Sequence, residues 1–246
     1  MTPRRAFYTW SGPPESMPWL RRLTVETFKK YNPEYSVHHI LVESHPSEHR
    51  HVAVRSDLAR YRELVENGGV YFDTDIVFLG PLPQEIEEYP FSITMDRSVM
   101  RESPMHEAHP DTPGFSNIGL MASEKGHPFF SDVLQAAEAR SMTDGLKYQD
   151  LGVQMLKTMF WGKHEPQIAE KYGLFYNIPL DCILPIRWWH INKLFNGTPF
   201  DPPSWCIGVH WYGGNQESRR FCQRVTAENY KAHPCYLTKA IDRALA

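Results

Sequence analysis

Val70-Tyr71-Phe72-Asp73-Thr74-Asp75-Ile76-Val77-Phe78-Leu79 is the stretch on which the fold turns. Outside its Asp73-Thr74-Asp75 centre it is β-branched, aromatic or leucine, which predicts a buried strand ended by Gly80-Pro81. Side chains alternate along a strand, so Asp73 and Asp75 are expected on one face and Phe72, Thr74, Ile76 and Phe78 on the core face. Two carboxylates on an apolar strand repel each other and are costly to desolvate. A hard divalent cation relieves both problems, and Mg²⁺ or Mn²⁺ favours such oxygen ligands. An ion held this way keeps open positions for a diphosphate, whose departing charge it stabilises as a Lewis acid. By itself an Asp-x-Asp tripeptide is common and describes a solvated pair equally well. Its neighbours give it meaning.

On the N-terminal side, Ser56-Asp57-Leu58-Ala59-Arg60-Tyr61 predicts a helix capped by Ser56 or Asp57, with Leu58, Tyr61 and Val65 on one face. Asn67-Gly68-Gly69 ends it in a left-handed turn. Asp57 and Arg60, three apart, are neighbours on that helix, either in a joint role or as a surface ion pair of little energetic value. Further upstream, Arg5 to Trp10 reads as a first strand broken by Ser11-Gly12-Pro13-Pro14. A helix follows, with Ser16 as cap, Pro18 in the first turn and Asn32-Pro33 as the stop. Tyr35 to Val42 reads as the second strand. Downstream, residues 96–116 form a polar, proline-bearing loop, of the kind that serves as a lid or stays disordered. Helices are expected at 128–140, 149–160 and 226–244. Strands alternating with helices predict an α/β fold with a largely parallel, doubly wound sheet. No repeat or linker interrupts residues 1–246, which are expected to form a single domain.

The chain has 246 residues, enough to bury a sizeable core without staples. Lys+Arg 26 against Asp+Glu 29 gives a net charge of −3 with no basic block, which argues against a dedicated nucleic-acid binder. Cys182, Cys206, Cys222 and Cys235 form no C-x-x-C pair, so buried free thiols are expected rather than a zinc module. The Asn196-Gly197-Thr198 sequon carries meaning only in a secretory setting. No apolar run approaches the ~18 residues of a membrane span, and the N-terminus lacks a signal-peptide core. The expectation is a soluble cytoplasmic protein, unless an N-terminal anchor has been removed.

The block from Asp57 to Asp75, with Gly68-Gly69 inside it, resembles the DXD-containing sugar-transferase family. That family includes fungal initiating α-mannosyltransferases, α-1,4-galactosyltransferases and, more distantly, the large clostridial glucosylating toxins. Weaker similarities follow in order: Ala6 to Trp10 with Pro13-Pro14, Asn32-Pro33-Glu34-Tyr35, Ser116 to Ser123, Leu184-Pro185-Ile186 with Trp188-Trp189, and Val209-His210-Trp211-Tyr212. The resemblance implies a GT-A type fold: a Rossmann-like nucleotide-binding half with a mixed central sheet flanked by helices. It implies metal-dependent, retaining transfer of a hexose from a nucleotide-sugar, a UDP-hexose ahead of a GDP-sugar. The acceptor stays open among glycan, lipid-linked saccharide, protein and modified nucleic acid. It also implies roles for individual residues. Trp10 would stack on the base. Asp57 and Arg60 would bind the ribose–diphosphate or donor sugar, Tyr71 would line the site, and Asn117 would lie beside the sugar. Asp75 would be the principal ligand of Mn²⁺ or Mg²⁺, Asp73 would contact the ribose or the ion's water shell, and His210 would complete the metal site. The Gly208-to-Gly214 turn around His210 would bring backbone close to phosphates.

The chain departs from the family in having Gly213-Gly214-Asn215-Gln216 after the histidine strand, and Asp150-Leu151-Gly152-Val153 in place of Thr-Gly-Pro. Two other readings fit parts of the sequence. A phosphatase of the haloacid dehalogenase type would use Asp73 as nucleophile and Asp75 as acid/base, but it needs an acidic pair further downstream than Glu87-Glu88. A non-catalytic nucleotide-sugar-binding module would have had little reason to retain Asp57, Arg60, Asp73, Asp75 and His210 together.

Overall fold

The structure is a computed structural model that describes residues 1–42, 52–95, 116–143, 145–160, 165–197 and 199–246. Along the chain these form β1 (Arg5–Trp10), α1 (Trp19–Tyr31), β2 (Ser36–Leu41), α2 (Val52–Glu66), β3 (Gly69–Phe72), β4 (Ile76–Phe78), α3 (Glu85–Glu88) and β5 (Phe91–Met95). There follow β6 (Ser116–Ser123), α4 (Pro128–Ser141), α5 (Val153–Met159), α6 (Glu165–Tyr172), β7 (Tyr176–Asn177), α7 (Asn192–Phe195), β8 (Gly208–His210), α8 (Gln216–Arg224) and α9 (Tyr236–Leu245). Two compact units are interleaved in sequence: residues 1–13, 36–73 and 83–179 make one, and residues 14–35, 74–82 and 180–246 the other. The loop expected to act as a lid lies outside the described residues up to position 115, as does Thr198 of the sequon. Among the described residues no helix is long and apolar enough to cross a membrane.

The first unit is built on a six-stranded sheet in the order β2-β1-β3-β6-β5-β7. β2, β1 and β3 run parallel, whereas β6 is antiparallel to both β3 and β5. The sheet is therefore mixed, as the GT-A type requires, and less parallel than the alternation of elements predicts. One face carries Phe7, Tyr71, Phe91 and Met121 in a cluster with Tyr61 of α2 and Phe129 of α4. Phe129 stacks on Phe91 at 4.6 Å and on Phe160 at 5.2 Å. The turn from α2 into β3 needs its two glycines. Gly68 and Gly69 have φ of +68° and +106°, and a Cβ on Gly69 would collide with the Arg5 carbonyl oxygen.

The second unit centres on the β4–β8 pair, with α1 against β4. Leu20 and Leu23 of α1 join Val77, Val209, Trp211 and Tyr236 in its core. Thr27 Oγ accepts the Phe78 N–H at 3.1 Å, and Asn32 Oδ1 accepts the Leu82 N–H at 2.8 Å. The helix stop at Asn32-Pro33 thus also fixes the chain leaving β4. All four cysteines are free; Cys206 is buried, and burial pushes its thiol up to about 12.

Three expectations are corrected. Val70 to Leu79 is not one strand: β3 stops at Phe72, Thr74 and Asp75 form a turn, and β4 belongs to the second sheet. Asp73 and Asp75 therefore do not share a strand face. Asp73 N–H still reaches Gly119 O at 2.7 Å on the β6 side, whereas Asp75 O accepts the Trp211 N–H at 2.8 Å on the β8 side. The ladder changes partner within three residues. Ser56 and Asp57 are not caps, since α2 is already helical from Val52 and holds both in its interior. The helix expected at 226–244 is also split. Pro234, which cannot donate to a helix and restricts the residue before it, separates a 3-10 turn at Tyr230–Ala232 from α9.

Candidate active site

In the first unit the site is a buried charge network under one open carboxylate. Arg60 and Asp57 leave α2 on the same face, and their charged ends lie 3.1 Å apart. Both are almost completely buried, so this is not the weak surface pair that the spacing alone allows. The Arg60 guanidinium also lies 3.4 Å from Asp73 Oδ1, donates to Ile118 O at 3.1 Å and sits over the Tyr71 ring at 4.4 Å. The Tyr71 hydroxyl donates to Asp73 Oδ1. Thr9 and Ser56 hydroxyls, 2.5 Å apart, close the network at the β1–α2 side. Asp73, with 24% of its side chain exposed, is the charged member that reaches solvent.

Burial is the largest influence on Asp57 and lifts its carboxyl to about 6, with Arg60 opposing and Asp73 adding to the rise. Burial also works against the charge on Arg60, but Tyr71, Asp73 and Asp57 outweigh it and hold the guanidinium above its ordinary value. Tyr71 is raised by burial first and by Asp73 as well, so at neutral pH it remains a hydrogen-bond donor.

In the second unit Asp75 is gripped by backbone. The Gly213 N–H donates to its Oδ2 at 2.6 Å, and Oδ1 lies 3.4 Å from His210 Nε2. The glycine-rich turn thus closes on a carboxylate of the chain itself. A Cβ on Gly213 would come within 2.5 Å of Arg21 Nη2 and 2.9 Å of the Trp211 ring, so the turn packs closely there. Arg21 in turn donates to Thr74 Oγ at 2.6 Å and fixes the residue between the two aspartates. His210 Nδ1 accepts the Tyr212 N–H at 3.2 Å, which leaves the ring proton on Nε2, facing Asp75. Tyr212 holds this turn with φ of +53° and anchors it by donating its hydroxyl to Ile186 O at 2.8 Å. A tyrosine in the left-handed region is uncommon and persists only where its surroundings enforce it.

Residues 21–92 match the family model described as the glycosyltransferase sugar-binding region containing DXD motif. The match spans less than half of the chain. No curated protein matches the chain. Among solved structures, the glycosyltransferase GlyE of Streptococcus pneumoniae TIGR4 aligns with a TM-score of 0.51 at 10% identity, over 100% of this chain and 61% of GlyE. A glycosyltransferase involved in glycosylating the major capsid of PBCV-1 aligns with a TM-score of 0.49 at 13% identity, over 90% of this chain and 100% of that one. The GlyE likeness speaks for the fold.

Of the residues that the sequence singles out, the first unit joins Asp57, Arg60, Tyr71 and Asp73, and the second joins Asp75 and His210. Tyr71 does not line an open surface. It is 1% exposed and acts on Asp73 from below. Asn117 is buried on β6, where its Oδ1 accepts the Gly119 N–H at 2.6 Å. Trp10 ends β1 half-buried, its carbonyl accepting the Val42 N–H at 3.0 Å. Arg21 and Tyr212 escape a reading of the sequence. Their contacts depend on chain segments far apart in sequence, and only the Tyr-Gly-Gly run after His210 hints at an unusual turn.

Proposed function

We propose that the chain transfers a hexose from a nucleotide-sugar, a UDP-hexose in the first instance, with retention of anomeric configuration, to a glycan, lipid-linked saccharide or protein. The observation that carries this reading is the way each DXD carboxylate is fixed: Asp73 by Arg60 and Tyr71, Asp75 by the Gly213 N–H. Two anchored carboxylates joined by one buried threonine make a donor set suited to Mn²⁺ or Mg²⁺. Asp73, Asp75 and His210 would hold the ion, which when bound stabilises the diphosphate leaving group. Asp75 offers Oδ1, since Oδ2 is engaged. Coordination by His210 Nε2 requires the ring proton to leave that nitrogen, with the Tyr212 bond broken if it moves to Nδ1. On this reading Trp10 would stack on the base, and Asn117, Asp57 and Arg60 would face the ribose, diphosphate and sugar. The burial of Asp57, Arg60 and Tyr71 suits groups that hold Asp73 in place and meet only the innermost part of a donor.

The test is thermal-shift screening of UDP-, GDP- and CDP-sugars with Mn²⁺, followed by hydrolysis of the best donor. Asp75→Ala should abolish Mn²⁺-dependent hydrolysis and lower the melting temperature only slightly. His210→Ala should weaken Mn²⁺–UDP binding and remove any nitrogen coupling from the electron-spin-echo spectrum of bound Mn²⁺. Full hydrolysis by Asp75→Ala, or turnover of p-nitrophenyl phosphate by the native protein, would speak against transfer.

A further inference from the structure

We propose that Arg21 of α1 binds the diphosphate of the donor and supplies the positive charge that the glycine-rich turn after His210 lacks. This rests on the reading of the donor as a nucleotide-sugar. Residues Trp211 to Ser218 hold no lysine or arginine, and the Gly213 N–H is already engaged by Asp75 Oδ2 at 2.6 Å. The turn thus offers a phosphate no charge of its own. Elsewhere in the site the charges cancel. One divalent ion and Arg60 are balanced by the carboxylates of Asp57, Asp73 and Asp75, which leaves no positive charge over for a diphosphate.

Arg21 stands where that charge is needed. Its Nη1 donates to Thr74 Oγ at 2.6 Å, and its Nη2 is 2.5 Å from the place that a Cβ on Gly213 would take. Thr74 precedes Asp75 in the chain, and Gly213 donates to the Asp75 carboxylate. The guanidinium therefore lies against both segments that hold Asp75. It also faces the ring of buried Trp211 at 5.3 Å, and the backbone N–H of Trp211 is bonded to Asp75 O at 2.8 Å. Anchored in this way, the planar fork is oriented before a ligand arrives, and its N–H donors match the spacing of phosphate oxygens. Arg21 is only partly buried, so it keeps contact with solvent while its charge is screened less than that of an exposed side chain.

Calorimetry with Mn²⁺ provides the test, comparing UDP and uridine on the native protein and on Arg21→Lys, Arg21→Met and Lys29→Met. Lys29 is exposed on the same helix, so its variant removes one charge without touching the turn. Arg21→Met should bind UDP about tenfold or more weaker, as befits a lost hydrogen bond to a charged acceptor, and bind uridine normally. Its affinity for UDP should also vary less steeply with NaCl. Arg21→Lys should recover most of the affinity and the salt dependence, which it would not do if Arg21 served only to pack against Thr74 and Trp211. Lys29→Met should behave as the native protein does. An Arg21→Met variant that binds UDP within about twofold of native, or that loses uridine to the same extent, overturns the proposal. If that variant fails to fold, the native protein decides. Saturating UDP, but not uridine, should then protect Arg21 from phenylglyoxal, with exposed Arg22 as the internal control. Labelling of Arg21 that UDP leaves unchanged overturns the proposal. A native protein that binds neither UDP nor a UDP-hexose would instead bring down the donor reading itself.

Discussion

Asp57 is the residue whose charge is held at the greatest disadvantage, and that gives it a measurable signature in pH. Its carboxyl stands at about 6 in the folded chain against the ordinary value of 3.8, chiefly because burial disfavours the anion. Between those two values the folded chain binds a proton that the unfolded chain does not. Stability from this group is therefore largest below 3.8 and is lost as pH rises through about 6. Asp57→Asn removes the titration while keeping the shape. The melting temperature of the native protein minus that of Asp57→Asn should rise by a few degrees between pH 7 and pH 4. A difference that falls over the same range would mean that the Arg60 partner, not burial, governs the carboxyl. Arg60 is the reason that the ionised form is tolerated at all. One guanidinium serves two aspartates, and removing it would leave Asp57 as a buried, unpaired anion.

Helix, double glycine and strand form the element whose reading from sequence survives best, and Gly69 is its hinge. With φ of +106° and the Arg5 carbonyl oxygen where a Cβ would go, Gly69→Ala should cost about 2 kcal/mol or more. Gly80, also at a strand end, has nothing within 4 Å of the place a Cβ would take and no positive φ, so Gly80→Ala should leave the melting temperature nearly unchanged. Equal effects in thermal melts of the two variants would remove the argument from close approach. The same region shows where sequence stops being informative. Alternation predicts which side of a strand a residue faces, but β3 and β4 are buried on both sides, and their apolar runs merge into one. Nothing in Phe72-Asp73-Thr74-Asp75-Ile76 marks a change of sheet, because the partners that decide it, Gly119 and Trp211, lie far down the chain. Ser56 departs from its expected place for a different reason. Serine favours caps through its side-chain hydrogen bond, and here that bond goes to Thr9 from the helix interior.

At the scale of the whole chain, the interleaving of the units explains why no linker is visible in the sequence and why the site is only half legible there. Motif spacing and the family resemblance single out Asp57, Arg60, Asp73, Asp75 and His210 as candidates. They do not single out Arg21 or the positive φ of Tyr212, whose contacts come from segments distant in sequence. The interleaving also predicts how the chain fails when cut. Removing residues 180–246 spares every segment of the first unit, whose aromatic cluster draws on positions between Phe7 and Ile168. It leaves α1 and β4 behind without their partners. Leu20, Leu23, Val77 and Leu79 lose Ile186, Val209, Trp211, Phe221, Tyr236 and Ile241, and β4 loses the only strand with which it pairs among the described residues. An apolar patch beside an open strand edge is a template for association. A chain of residues 1–179 should keep helical and strand signals in circular dichroism, yet bind hydrophobic dye and form concentration-dependent oligomers in light scattering. A monomeric fragment that melts cooperatively without binding dye would show that the retained pieces of the second unit have no need of the C-terminal segment.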